Sequence, residues 1–255
     1  RPRMSGITWS FMALLVTMFF SNIMGAHPQS SFWSNFERMD GYVSLVHTFM
    51  YMFVLGSVLS TKKHWNALFN TSLGVAAAVA MYGLAQYGGM IDGANRIDSR
   101  LGNAAYMAIY MLFHIFLAFW LFVESRNNML KFVYALAVVM FVFVLFQTGT
   151  RGTAIGLVAG VLTMSAYIAI FGVQFKQYRK YAVGLFLVLI AAVSIFVSAR
   201  DTDVVQNSVA LNRIANISLG DLEIRSIIWS GAINGIKERP LIGHGQNNFN
   251  YVFNE

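Results

Sequence analysis

Arg151 stands in the segment Gln147-Thr148-Gly149-Thr150-Arg151-Gly152, a connection between two apolar runs too short to be anything but a turn. A guanidinium close to hydrocarbon has a desolvation cost, up to about 2.5–3.5 kcal/mol at the centre of a membrane helix, so retaining one calls for a partner. Flanking glycines let backbone N–H groups and the planar fork approach one anion together. Phosphate oxygens suit that fork better than a carboxylate substrate does. Two readings stand side by side: a phosphate-binding turn, or an interfacial anchor paired with a lipid head group. Arg225, in Asp221-Leu222-Glu223-Ile224-Arg225-Ser226-Ile227-Ile228-Trp229, is a second cation beside an apolar stretch. Its default is a surface ion pair with Asp221 or Glu223. Arg38, in Phe36-Glu37-Arg38-Met39-Asp40-Gly41, has a local salt bridge as its default in the same way.

Other patterns point to chemistry less sharply. Asp201-Thr202-Asp203 has the spelling that holds a divalent cation in some glycosyltransferases, and Glu37 with Asp40 is a second carboxylate pair; both read first as solvated loop residues. His47 and His114 fall inside apolar runs, where an ionisable group is a functional candidate. With no second His or carboxylate at helical spacing, each is expected to be a neutral imidazole hydrogen-bonded between helices. His244, in the turn Gly243-His244-Gly245, reads as a loop residue. Cysteine is absent, which excludes disulfides, a thiol nucleophile and Cys metal sites. No Ser-His-Asp set, Walker loop or zinc spacing can be written from the sequence.

The elements that must position these residues are membrane spans. Of 255 residues, 57% are hydrophobic and 11% charged, against about 45–50% and about 25% in soluble domains. The excess of 18 Lys and Arg over 11 Asp and Glu lies in short clusters between apolar runs, not along one polar face, so nucleic acid is not the expected partner. A hydrocarbon core about 30 Å thick needs about 20 residues of helix. Seven stretches qualify: residues 7–25, 41–59, 67–87, 102–123, 132–147, 153–171 and 181–198. Nothing alternates as barrel strands do, so the expected fold is an all-α polytopic membrane protein.

With the start on the cytoplasmic side, that side receives nine basic residues: Arg1, Arg3, Lys62, Lys63, Arg126, Lys131, Lys176, Arg179 and Lys180. The short opposite loops hold four, Arg38, Arg96, Arg100 and Arg151. Under the positive-inside rule this places residues 199–255 outside. The expected organisation is a transmembrane bundle over residues 1–198 and the start of a large, partly helical outer loop over 199–255. Residues 200–220 read as polar and irregular. Asp221 is then positioned to cap an amphipathic helix bearing Ile224, Ile227, Ile228, Ile233 and Ile236, which Pro240 ends. The chain opens on Arg1-Pro2-Arg3 and closes on Asn254-Glu255, and both ends read as internal to a longer protein.

Several pieces together resemble the O-antigen ligase-related family, which includes O-antigen polymerases and some protein O-oligosaccharyltransferases. Thr150-Arg151-Gly152 is similar to its Ser/Thr-Arg-Gly signature. Its second signature resembles Leu211-Asn212-Arg213-Ile214, Arg225 through Trp229, and Glu238-Arg239-Pro240-Leu241-Ile242-Gly243-His244-Gly245 with Asn248-Phe249. Phe32-Trp33, Glu37 through Gly41 and Arg100-Leu101-Gly102-Asn103 agree in order. The resemblance implies an inner-membrane glycosyltransferase whose donor is a polyprenyl-diphosphate-linked glycan. The glycan passes to an acceptor hydroxyl on lipid A-core, a growing polysaccharide or a protein, on the periplasmic face, without metal, nucleotide or other cofactor. By the same resemblance Arg151 and Arg225 hold the diphosphate in one anion site, with Arg38, Arg100 and Arg213 as secondary candidates. The family's base is a His in a His-Asn motif; no such pair occurs here, so it is expected beyond Glu255 and the chain is expected to be catalytically incomplete. Two rival classes are a polytopic transporter or lipid-linked glycan flippase, and a metal-dependent glycosyltransferase using Asp201 with Asp203 or Glu37 with Asp40.

Overall fold

A computed structural model describes residues 4–36, 38–92, 96–171, 176–216 and 219–253, without the side chains of 176–178, 209–210 and 219–222. Arg1, Arg3 and Glu37 lie outside the described residues. Among those described there are helices and turns but no strands. All seven apolar stretches fold as helices: α1 Gly6–Ile23, α3 Tyr42–Val58, α4 Lys62–Tyr87, α5 Ala104–Glu124, α6 Asn128–Gln147, α7 Arg151–Phe171 and α8 Lys176–Ser198. Shorter helices are α2 Pro28–Trp33, α9 Asp203–Gln206, α10 Val209–Ala215 and α12 Phe249–Phe253, with α11 Leu219–Glu238 between the last two. Among the described residues six helices are long and apolar enough to cross a membrane; the exception among the seven is α3, at 17 residues, the short limit for a span. The chain is a multi-pass α-helical membrane protein.

Contacts divide it into two compact units, residues 66–217 and residues 1–65 with 218–255. In the first, α5 and α6 form the closest pair and bury Met107, Met111, Phe141, Val144 and Leu145 completely. Ala76, Ala80 and Ala118 are fully buried as well, and such small residues let membrane helices approach. Asn103 accepts from Ala105 N–H at 2.8 Å to cap α5, and Asn127 accepts from Met129 N–H at 2.8 Å to cap α6. His114 is buried where α4 meets α5: Nδ1 lies 2.8 Å from the Tyr110 carbonyl and Nε2 lies 2.9 Å from Ser72 Oγ. The carbonyl can only accept, so Nδ1 carries the hydrogen and Nε2 accepts from Ser72, the interhelical bond the sequence led us to expect.

The segment 199–255 differs from expectation in its local structure. Residues 203–215 are not irregular, because α9 and α10 form there. Their support is a side-chain network that no local pattern announces. Asn212 Nδ2 donates to the Gln206 carbonyl at 2.8 Å and to its Oε1 at 3.0 Å, and Asn216 Nδ2 donates to Asn212 Oδ1 at 2.6 Å. α11 runs Leu219–Glu238, so the backbone of Asp221 lies within the helix, and the expected cap from its side chain falls outside the described residues. The helix ends at Glu238, just before Pro240, as expected.

In the unit of residues 1–65 with 218–255, the turn after α11 docks onto the chain around α2. Ala26 N–H donates to the His244 carbonyl at 2.9 Å, Gln246 N–H to Asn22 Oδ1 at 2.8 Å and Asn248 Nδ2 to Ser31 Oγ at 2.9 Å. Asp40 accepts from Ser34 Oγ and from Asn247 Nδ2, which together hold its carboxyl below the usual carboxylate range, the Ser34 bond foremost. Two backbones meet at this seam without room for a side chain. A Cβ on Gly25 would stand 2.5 Å from the His244 oxygen, and one on Gly245, whose φ is +85°, would stand 2.7 Å from Ser31 Oγ. Gly245→Ala is therefore expected to lower stability by about 1–3 kcal/mol. Gly56→Ala, in α3 with nothing within 4 Å, is expected to be neutral or to stabilise by up to about 1 kcal/mol. Unfolding midpoints of the two variants in detergent check this; equal midpoints would remove the seam as a structural element.

Candidate phosphate site at the turn between α6 and α7

The turn that carries Arg151 is built by three connections at one end of the 66–217 unit. After Leu145 and Phe146 accept the closing N–H bonds of α6, Gly149 reverses the chain at φ +60°, a conformation suited to glycine, and α7 starts at Arg151. The long connection from α4 to α5 folds back against α4. Ser99 Oγ donates to the Val79 carbonyl at 2.8 Å, Ser99 N–H donates to Gln86 Oε1 at 2.8 Å, and Gln86 Nε2 donates to Asp98 Oδ1 at 3.1 Å. Ile97 is buried against Gly83, where a Cβ would meet Ile97 Cγ2 at 2.7 Å. These contacts fix Arg96 over the turn: Nε donates to the Thr148 carbonyl at 2.6 Å and Nη2 to Thr150 Oγ1 at 2.9 Å. A cation there also suits the negative end of the α6 dipole.

The third connection, residues 199–216, brings α10. Arg151 Nε donates to the Arg213 backbone carbonyl. The Arg213 side chain is close enough to act on Arg96, whose pKa is lowered by burial first and by the Arg213 charge second. Arg96, Arg151 and the backbone of Arg213 are thus tied together at the start of a membrane helix, with the Arg213 charge acting on Arg96. Arg96 bonds neutral carbonyl and hydroxyl oxygens, and among the described residues no carboxylate forms an ion pair with Arg96 or Arg213. The N-terminus of α7 adds its own partial positive charge. A cationic helix start of this kind suits an anion, above all one with several oxygens that accept from planar forks.

The sequence-based candidates distribute as follows. Arg151 and Arg213 meet in this cluster. Arg100 belongs to the same unit, with its guanidinium 4.6 Å from the centre of the Tyr82 ring, a cation–π contact. Arg38 and Arg225 belong to the other unit; Arg225 is exposed on α11, and the charge of Arg38 acts on Asp40. Asp201 is paired with Arg200 at 3.3 Å, and Asp203 opens α9. His47 is exposed, with Nδ1 2.7 Å from the Val43 carbonyl one turn back, so the expected interhelical bond is replaced by one within α3. His244 is half-buried, its Nε2 facing the Gly235 carbonyl at 3.2 Å and Glu238 at 3.4 Å. Sequence reasoning missed Arg96 as a site residue. Its only signal was a second Arg four positions before Arg100, on the side where the orientation rule disfavours cations.

A family model for the O-antigen ligase matches residues 135–255, which include Arg151, Arg213 and Arg225 and leave out Arg38, Arg96 and Arg100. No curated protein and no solved structure gives a significant match. The matched segment begins within α6, takes in the turn, α7, α8 and α10, and runs on through α11 and the docked turn to α12. Residues 135–255, a little under half of the chain, are thus similar to the O-antigen ligase family.

Proposed function

We propose that the protein is a glycosyltransferase that moves a glycan from a polyprenyl diphosphate to an acceptor hydroxyl. The acceptor is lipid A-core, a growing polysaccharide or a protein, and the reaction takes place at the periplasmic face of the inner membrane. The observation that carries this reading is the glycine-flanked turn with Arg151 at the first turn of α7, tied to the Arg213 carbonyl inside the segment the family model covers and bridged by Arg96 from outside it. In the reaction the acceptor oxygen bonds to the anomeric carbon as the bond from that carbon to the diphosphate oxygen breaks. The electron pair leaves with the diphosphate, and the hydroxyl proton passes to a base. Fixed guanidinium groups stabilise the charge that develops on the leaving group, with no reorganisation at the moment it forms. Arg151 is the principal diphosphate ligand. Arg225 is the second on the strength of its place in the family signature, and Arg213, Arg100 and Arg38 are secondary. No metal, nucleotide or other cofactor is needed, because arginine supplies the charge a cation would otherwise bring.

Membranes containing the full-length protein, supplied with lipid-linked glycan and acceptor, should form a covalent glycan–acceptor product at the same rate with and without EDTA. Loss of product on chelation would favour the metal-dependent class. Movement of the donor across the membrane with no covalent product would favour the flippase class. The same reading sets an orientation. Cysteine introduced at Lys63 or Arg179 should resist an impermeant thiol reagent in intact cells while one at Asn207 reacts, and labelling at both of the first two positions would reverse the topology.

A further inference from the structure

At the end of α7 opposite Arg151, four spans of the 66–217 unit come to the same level: α5 finishes at Glu124, α6 begins at Asn128, α7 finishes at Phe171 and α8 begins at Lys176. Between α5, α7 and α8 lies a partly open cavity of about 300 Å³. Two small buried residues that line it, Ser165 and Ala182, leave the space, and the exposed Tyr181 and Leu185 of α8 form part of its outer wall. Ser165 Oγ donates to the Leu162 carbonyl at 3.0 Å, so its proton is spent within α7 and the rest of the lining is apolar.

Two lysines set this cavity apart from a plain furrow between membrane helices. Lys180 Nζ stands 5.0 Å from the centre of the Tyr181 ring, itself a wall of the cavity. Lys131 Nζ stands 5.9 Å from the centre of the Phe122 ring, and Phe122 stacks on Phe119, a second wall, with ring centres 6.5 Å apart. Each ring draws its ammonium towards the cavity by a cation–π attraction, while the aliphatic stem stays against apolar surface. Among the described residues no carboxylate forms an ion pair with either lysine. The orientation rule asks only that cations gather at one end of the spans. It does not ask that two of them lean on the aromatic lining of one cavity.

We infer that this is a binding site for an anionic phospholipid of the adjoining leaflet, with part of one acyl chain in the cavity and the head-group phosphate held by Lys131 and Lys180. The charge decides the occupant. Bilayer hydrocarbon is as apolar as the cavity, so seating a chain gains little transfer energy and any acyl lipid could fill the space. Two ammonium groups without carboxylate partners favour a head group of net negative charge over a zwitterionic one, whose own cation opposes them. The bound lipid ties α8 to α5 and α6. That matters because α8 packs on α7 and is otherwise largely exposed along its length. The site does not depend on the anion site at Arg151 or on the activity proposed above.

The test equilibrates full-length protein with phosphatidylglycerol and phosphatidylcholine in mixed micelles and counts the lipid that stays bound by mass spectrometry. Wild-type protein should retain phosphatidylglycerol in preference. Lys131→Gln with Lys180→Gln should cut that preference about ten- to thirtyfold, the worth of two lysines beside an anionic head group. Arg126→Gln with Arg179→Gln removes the same charge from exposed positions at the same end of the spans and should change it far less. For the chain, Leu185→Trp narrows the cavity and should weaken retention of both lipids, while Leu187→Trp, exposed on α8 outside the cavity, should leave it unchanged. Equal losses in the two double variants would mean diffuse surface charge and overturn the site. So would a wild-type protein that retains both lipids alike, or a Leu185→Trp variant that retains both as the wild type does.

Discussion

Arg151→Ala is expected to reduce transfer from the lipid-linked donor by about 10- to 150-fold, the equivalent of about 1.5–3 kcal/mol for hydrogen bonds between charged groups. The loss should appear in kcat as well as in kcat/KM, because charge on the diphosphate is greater in the transition state than in the bound donor. Arg151→Lys should recover only part of it. Lysine keeps the charge but loses the planar fork, one arm of which is committed to the Arg213 carbonyl. An effect confined to protein yield or thermal midpoint would mean that the residue only joins α7 to α10. Retention of full transfer by the alanine variant would remove Arg151 from the site.

Arg96→Gln should have the second largest effect. The guanidinium closes the turn by two bonds, to the Thr148 carbonyl and to Thr150 Oγ1, and Thr150 in turn reaches the Ala104 carbonyl at 3.4 Å. Removing it releases the end of α6, the start of α5 and the residue before Arg151 together. A loss of about 1.5–3 kcal/mol in donor handling is expected. It should be strongly non-additive with Arg151→Ala, with a coupling of about 0.5–3 kcal/mol for residues sharing one network. Steady-state transfer in the two single variants and the double variant measures that coupling. If Arg96 merely caps α6, the thermal midpoint of Arg96→Gln falls while donor KM and kcat stay at wild-type values, and the effects of the two substitutions add.

What could be read from the sequence follows from which interactions are local. The seven helices were legible because a span must be apolar along about 20 consecutive residues, and composition alone records that. Their ends were less so: α4 starts at Lys62 and α8 at Lys176, before the apolar stretches begin, because helix hydrogen bonding continues into polar residues once the span has nucleated it. The imidazole of His114 was legible as a link between helices, since a neutral polar group in lipid must find a partner. The same rule failed for His47 in its detail, because a carbonyl of its own helix was nearer.

The candidate site was half legible. Arg151 announced itself by its setting, a cation in a glycine-flanked turn between spans. Arg96 did not, because its importance lies in bonds to residues 52 and 54 positions away. Helices α9 and α10 were hidden for the same reason at shorter range, their polar sequence being held by Gln206 and Asn212 side chains that a periodicity argument treats as solvated. The seam at Gly25 and Gly245 joins segments more than 200 residues apart, and nothing in either glycine's neighbourhood names its partner.

The central claim is that the guanidinium groups around the α6–α7 turn recognise a lipid-linked diphosphate, and the most direct test compares head groups on one chain. Affinities of full-length wild-type protein and of Arg151→Ala are measured for polyprenyl diphosphate, polyprenyl monophosphate and polyprenol in the same nanodiscs. The account predicts that wild-type protein prefers the diphosphate over the monophosphate by about tenfold or more and both over the alcohol, as added charge-assisted bonds require. It also predicts that most of this preference disappears in the variant. Equal affinity for all three lipids, or a preference for diphosphate that survives in Arg151→Ala, would contradict it.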